Sequence, residues 1–414
     1  MTQKTKNISE DWVVVITGFL LIGVVLAGFS FKSPDFKWSN FSEIPAKILA
    51  GENLLRMGVQ LVLVAIAGTF AAFLTGKKPL RFLAGFLVLF VLSALAQTLA
   101  GNKVLQEYNL EAVIFSLAIG LLINNLWGVP DWLKESLQSE LFVKIGLVLL
   151  GTTIIFSEIL RAGMLGLVQA LVVVISVWYF AFWLCRRTGI DQEMSMMISS
   201  AVSICGVSAA IATSGAIKGD SKKLSYVISM VLITAVPMMI LMPYAASWMG
   251  LSQAVTGAWL GGSIDTTGAV VASGSLVGEE ALEISTIIKF SQNVLLGLAA
   301  FAISIYWSVN QAQQTAEKPT LGLIWERFPK FVIGFVAASL LFSFVLSPGK
   351  VSEVKPVIKS IQGIWFALAF VSIGLETNFK ELFSHSNKKP LFVFLGAQAF
   401  NIVVTLVMAL LLFG

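Results

Sequence analysis

Two charged residues lie inside apolar stretches of membrane-spanning length. Asp265 sits in GGSIDTTG, and Lys289 sits in STIIKFSQNVLL. A charge at bilayer depth costs at least ~2.5–3.5 kcal/mol on insertion scales, so both should face a protein interior. Glycines on both sides of Asp265 let the backbone unwind there, and Thr266 and Thr267 add hydroxyls. Such a group can bind a cation, a proton or a substrate. The plainer reading is an N-cap, with Asp265 accepting from the first amides of a half-helix. Gln292 and Asn293 follow Lys289 by three and four positions and share its helical face, giving a positive charge backed by two amides. The plainer reading there is a lysine snorkelling to the interface.

A third stretch, MSMMISSAVSICGVSAAIATSGAIKGDSKK at 194–223, is apolar yet built from small and hydroxyl residues. Lipid-facing helices favour Leu, Ile, Val and Phe. A Gly/Ser-rich segment packs closely on neighbours or exposes backbone to a polar cavity. Cys205-Gly206 is the expected break. A broken helix offers free amides and a positive dipole end to an anion, flanked here by Ser203 and Ser208.

These segments must be positioned by a membrane scaffold. The chain has 414 residues, 57% hydrophobic and only 12% charged, against roughly 25% charged in a soluble domain. Thirteen stretches are long enough to span: roughly 12–30, 58–75, 81–100, 111–128, 141–157, 164–185, 194–217, 223–247, 253–275, 284–307, 329–346, 360–376 and 390–413. The gap at 31–57 carries Trp38, Phe41 and Ile44 among polar residues and reads as an interfacial segment. The first helix reads as a retained span. The fold expected is an all-α polytopic membrane protein of about thirteen transmembrane helices. Residues 1–110 are its N-terminal part and 111–414 its core.

The net charge of +5 reports orientation rather than nucleic-acid binding. With Lys4 and Lys6 inside, alternation places Lys77, Lys78 and Arg81, Arg186 and Arg187, Lys318, Arg327 and Lys330, and Lys388 and Lys389 inside too. The loops holding Lys218, Lys222 and Lys223, and Lys350, Lys355 and Lys359, fall outside. A re-entrant hairpin at 194–217 would remove the first conflict, and a second hairpin would be needed to keep the rest. Cys185 and Cys205 give no disulfide framework or metal spacing, and His385 is the only histidine. With no phosphate-binding loop, metal motif or nucleophile elbow, an enzyme or ATP-driven pump is not expected.

Residues 150–160, LGTTIIFSEIL, resemble 373–383, IGLETNFKELF, matching Gly151 to Gly374, Phe156 to Phe379 and Glu158 to Glu381. The two copies end spans of opposite direction, as inverted repeats do. The repeat does not close. The Gly-rich span 194–217 follows the first copy, but its counterpart at 257–278 precedes the second and runs parallel in this threading.

Four segments also resemble one family. VKIGLVLLGTTIIF at 143–156, AVSICGVSAAIA at 201–212, GAWLGGSIDTTGAVVASG at 257–274 and IIKFSQNVLL at 287–296 are similar to its lLRlGIvLLGarLs, GtSICGaSAIaA, G-waGasIHDvaqVvaAg and ivKLtRvllL. The chain thus resembles the YeiH-type bacterial inner-membrane proteins, usually labelled sulfate exporters, over about 111–414. It departs where the family has His-Asp, here Asp265-Thr266, and where it has Lys-x-x-Arg, here Lys289 and Gln292. The resemblance implies distant kinship with sodium/proton antiporters and bile-acid sodium symporters, with inverted repeats and broken or re-entrant helices. AIKGDSKKLSYVISM at 216–230 looks like the segment after such a symporter's broken helix.

The expected function is secondary transport of a small anion, sulfate-like or a short organic acid. Ser203, Cys205, Gly206, Ser208, Lys289, Gln292 and Asn293 would bind it. Asp265, Thr266 and Thr267 would hold a coupling proton or sodium ion, with no other cofactor. The expected setting is the bacterial inner membrane with a cytoplasmic N-terminus. Partners would be the substrate and lipid, with a homodimer admitted by the kinship. A monovalent cation/proton antiporter is the alternative.

Overall fold

The computed structural model describes residues 9–107, 112–310, 322–378 and 388–414. Lys318, His385 and the second repeat copy from Phe379 onward lie outside the described residues. The regular structure of the described residues is helical, with one isolated bridge, between Trp38 and Asn102. Among the described residues, seven helices are long and apolar enough to cross a membrane, and several shorter apolar ones accompany them.

The chain forms two compact units, residues 1–157 with 330–377, and 158–329 with 378–414. The boundaries therefore differ from a division at residue 110. The first unit holds α1 (Glu10–Leu26), α2 (Gly51–Leu74), α3 (Pro79–Ala100), α4 (Ala112–Leu126) and α5 (Ser139–Leu150). The second takes α6 (Phe156–Arg187) from Glu158 onward. α7 (Gln192–Ser200), α8 (Val207–Ile217), α9 (Ser221–Trp248), α10 (Gln253–Ser263), α11 (Thr267–Val277) and α12 (Glu279–Asn310) follow in it. α13 (Lys330–Leu340) and α14 (Pro348–Glu376) return to the first unit, and α15 (Lys389–Phe413) closes the second.

In the first unit, backbones touch through the repeat glycines. A Cβ on Gly151 would lie 2.3 Å from the Phe335 carbonyl oxygen of α13. A Cβ on Gly374 of α14 would lie 2.6 Å from the Leu117 carbonyl oxygen and 2.9 Å from Gly120 Cα of α4. Small residues at such crossings allow the close backbone approach that replaces hydrophobic driving force in lipid. Lys144 of α5 pairs with Glu10 and Asp11 of α1 at 2.9 and 3.2 Å and lies 5.6 Å from the Phe331 ring centroid of α13. Trp38 is buried, its Nε1 donating to the Thr98 carbonyl at the end of α3, while Phe41 is exposed.

In the second unit, two of the thirteen apolar stretches do not run as single rods. Residues 191–220 fold back on themselves as hairpin A, with α7 and α8 as its arms. The Asp220 amide at its end donates to Glu193 at its start, and Lys223 Nζ reaches Asp191 and Glu193, each at 2.8 Å. Residues 253–278 form hairpin B, with α10 and α11 as its arms. Its ends also meet, since a Cβ on Gly278 would lie 2.5 Å from Gln253 Oε1. Hairpin A precedes α9 and hairpin B follows it, so they enter from opposite ends of that 28-residue helix. The parallel course that simple alternation assigned to these two stretches is thereby corrected.

Two outcomes are expected. Gly374→Val should lose about 1–3 kcal/mol or more, because the clashing atoms are backbone. Gly363→Ala, with nothing within 4 Å, should change stability by less than about 1 kcal/mol; thermal unfolding in detergent checks both. At the base of hairpin A, burial alone would raise the Asp191 carboxyl, but Lys223 and the Met194 amide hold it below its ordinary value. A depressed carboxyl stabilises above its ordinary pKa, and that contribution is lost as pH falls through the folded value. Hydrogen exchange at 191–223 should therefore accelerate on acidification, and much less so in Lys223→Met.

Candidate functional site

Hairpin A turns at Gly206, whose φ of 61° and ψ of −112° belong to glycine's permitted region. A Cβ there would lie 2.7 Å from Val231 Cγ1 and 3.1 Å from Asp265 Cβ. Asp265 is at the turn of hairpin B, so the two tips touch. Asp265 and Lys289 are each only 1% exposed. Lys289 Nζ donates to the Ile204 carbonyl of hairpin A at 3.0 Å and to Gln292 Oε1 at 2.7 Å. Lys289 is also the charged group acting on Asp265. It is thus an interior residue, and snorkelling is overturned.

Helices that end inside a protein leave carbonyls on one side of the break and amides on the other. Here side chains cap the carbonyls. Gln292 Nε2 donates to Gly262 O at 3.0 Å, and Gln398 Nε2 donates to Ser263 O at 2.7 Å. Asn401 Nδ2 bridges the hairpins, at 3.0 Å from Val202 O and 3.2 Å from Ser263 O, and its Oδ1 accepts from Thr405. Gln169 Nε2 of α6 donates to Ala258 O at 2.8 Å.

The amide side of the breaks is less covered. α8 starts at Gly206 with no side-chain cap, and Val207 and Ser208 are half-buried. α11 starts at Thr266, whose Oγ1 accepts from the Ala269 amide at 3.3 Å, and Thr266, Thr267 and Gly268 are half-buried. The cap is therefore Thr266, not Asp265. Asp265 accepts no hydrogen bond of ordinary length on either carboxylate oxygen, the Gln398 amide being the polar side chain that acts on it. Two positive helix ends thus lie together at touching tips, beside a buried lysine.

The sequence-predicted residues divide. Cys205, Gly206, Asp265, Thr266, Thr267, Lys289, Gln292 and Asn293 gather at the tips, with Asn293 Nδ2 donating to Thr267 Oγ1 at 3.3 Å. Ser208 is half-buried at the start of α8. Ser203 is fully buried, and its hydroxyl donates to Ser199 O at 2.7 Å. Its proton is committed within its own arm, against the expectation that it meets a ligand. Gln398, Asn401 and Thr405 were missed. Their spacing of three and four puts them on one face of an apolar helix, and polar groups at that depth are the available signal.

The buried pair generates a double-mutant prediction. Asp265→Asn and Lys289→Met should each destabilise by about 3–5 kcal/mol, since each leaves one charge uncompensated. The double variant should lose less than the sum, as chemical unfolding of the four proteins would show.

Comparison with known proteins places the chain. The family described as Conserved hypothetical protein 698 matches residues 84–394. A UPF0324 membrane protein of Rhodopirellula baltica is 42% identical over 368 residues, covering 86% of this chain and 67% of that one. One from Nitratidesulfovibrio vulgaris is 37% identical, covering 85% of this chain and 63% of that protein. The chain thus spans about two thirds of these relatives' length. UPF0324 membrane protein YdhF of Lactococcus lactis is 25% identical, covering 80% of this chain and 98% of that protein. No solved structure matches the chain. The four motifs, the family match and the apolar helices agree: the chain is a multi-pass membrane protein of the UPF0324, or YeiH-type, family.

Proposed function

We propose that the protein is a secondary active transporter of a small anion, sulfate-like or a short organic acid, in the bacterial cytoplasmic membrane. The observation that carries this reading is the contact between the two hairpin tips, which brings the uncapped start of α8 and the start of α11 together beside Lys289. Helix N-termini and a lysine favour an anion. The Val207–Ser208 and Thr266–Gly268 backbones and the Ser208 hydroxyl would receive it, with Lys289 supplying charge and Gln292 and Asn293 orienting the face. Asp265, with Thr266 and Thr267, would take the coupling proton or cation.

The hairpins also support an orientation. If both are re-entrant, the thirteen apolar stretches reduce to eleven crossings. The loop holding Lys218, Lys222 and Lys223 then joins the other basic loops on the cytoplasmic side, with the N-terminus. Of the two loops that conflicted with alternation, the one holding Lys350, Lys355 and Lys359 stays on the opposite side. The order of elements supports an inverted repeat whose second copy is permuted. α4, α5, α6, hairpin A and α9 would correspond to α13, α14, α15, hairpin B and α12, with the last two placed earlier in the chain. The repeat glycines fit this pairing, since Gly151 of α5 touches α13 and Gly374 of α14 touches α4.

Proteoliposome flux of sulfate and short carboxylates tests the reading. Lys289→Ala should weaken apparent affinity about 10- to 100-fold, the worth of a charged hydrogen bond. Ser208→Ala, at a half-buried position, should weaken it by less while leaving stability unchanged. Flux untouched by both substitutions would sink the site assignment. Cation-driven proton flux with no anion present would establish the antiporter instead.

A further inference from the structure

Five buried oxygen atoms surround the break of hairpin B without a hydrogen-bond partner: both carboxylate oxygens of Asp265, Ser263 Oγ, Asn293 Oδ1 and Gln398 Oε1. The nearby donors make their short hydrogen bonds elsewhere, although the Gln398 amide also acts on the Asp265 carboxylate. Gln398 Nε2 donates to Ser263 O and to Met238 Sδ, at 2.7 and 3.2 Å. Asn293 Nδ2 donates to Thr267 Oγ1, and Lys289 Nζ to Ile204 O and Gln292 Oε1. Through those nitrogens α12 and α15 are each tied to residues 263–267, so the unpartnered oxygens come from three elements around one turn. Each unsatisfied buried polar atom costs about 1–3 kcal/mol, and more when charged. Interiors retain few of them without a reason.

The chemistry of the set identifies what would satisfy it. One carboxylate, two amide carbonyls and a hydroxyl are hard oxygen donors, suited to alkali and alkaline-earth cations rather than soft metals. Among the described residues, no His/Cys/Asp/Glu cluster could hold a transition metal. A single carboxylate, with the Lys289 ammonium beside it, disfavours a divalent ion. A proton on Asp265 would supply one donor to one acceptor and leave the other oxygens as they are. A metal cation can meet several of them at once.

We infer that Asp265, Ser263, Asn293 and Gln398 bind a dehydrated monovalent metal cation, and that this cation is the coupling ion. The coupling half rests on the transporter reading above; the cation site does not. Charge explains the coupling. Asp265 and Lys289 cancel, so the bound cation leaves the tips net positive beside the starts of α8 and α11. Anion affinity then rises with cation binding, and cation affinity rises equally with the anion.

The test uses purified full-length protein at constant ionic strength, with sodium, lithium, potassium or choline chloride. Sodium or lithium should raise the thermal midpoint without added anion, by mass action on the folded state. Sulfate or a short carboxylate should bind about tenfold or more tightly in sodium than in choline. Asp265→Asn and Asn293→Ala should abolish both effects, and Asn293→Asp, which keeps the oxygen, should restore the midpoint shift. A midpoint indifferent to every alkali cation but moving with pH would overturn the inference in favour of a proton. Anion binding that ignores the cation would overturn the coupling and leave the transporter reading standing. Cation stabilisation with no anion binding or flux would overturn the transporter reading and leave the cation site.

Discussion

Helices that stop inside an apolar interior must find partners for the backbone groups they expose, and this constraint organises the second unit. Water cannot supply those partners, and each unpaired group would cost several kcal/mol in hydrocarbon. The chain meets the demand unevenly. Carbonyls ending the first arms are covered by Lys289 and Gln292 of α12 and Gln398 and Asn401 of α15. Amides opening the second arms are left half-buried. That asymmetry turns a structural requirement into a site of positive potential.

The same caps tie the two tips together. Asn401 donates to both hairpins, and the Lys289–Gln292 pair reaches hairpin A with one residue and hairpin B with the other. Opening one hairpin alone would strip caps from both. The shared caps therefore favour motions that keep the two tips in contact over the opening of a single hairpin.

Much of the site was legible because composition at membrane depth is so restrictive. A charge, a glycine run or a cluster of serines stands out against 57% hydrophobic residues. Asp265, Lys289 and Gly206 announced themselves in this way. The hairpins did not, because an apolar stretch of about 25 residues satisfies hydropathy whether it crosses or folds back. Only the basic loop at Lys218–Lys223 carried a trace of the difference. The alignment of Gly151 with Gly374 was visible as a repeat. Under the permuted pairing proposed above, its incomplete closure would be a matter of chain order, which local similarity does not report. Ser203 shows an ambiguity of such reading: a hydroxyl near a break is equally able to bond its own helix, as it does to Ser199 O.

The departures from the family pattern become coherent once the tips are in view. At the position of the family's aspartate, Thr266 supplies the N-cap, so capping survives without the charge. At the arginine position, Gln292 still donates to Gly262 O, and it also accepts from Lys289, which an arginine could not do. At the histidine position stands Asp265, a carboxylate where a positive or neutral ring would be. This chain thus has fewer fixed positive charges at the tips and carries a carboxylate, Asp265, and an amide, Asn293, where the family motifs have a histidine and an apolar residue. If the site binds an anion, as proposed, it needs the missing positive charge from elsewhere. A bound metal cation would supply it reversibly, making anion affinity conditional on a gradient where the arginine and imidazole would make it constitutive.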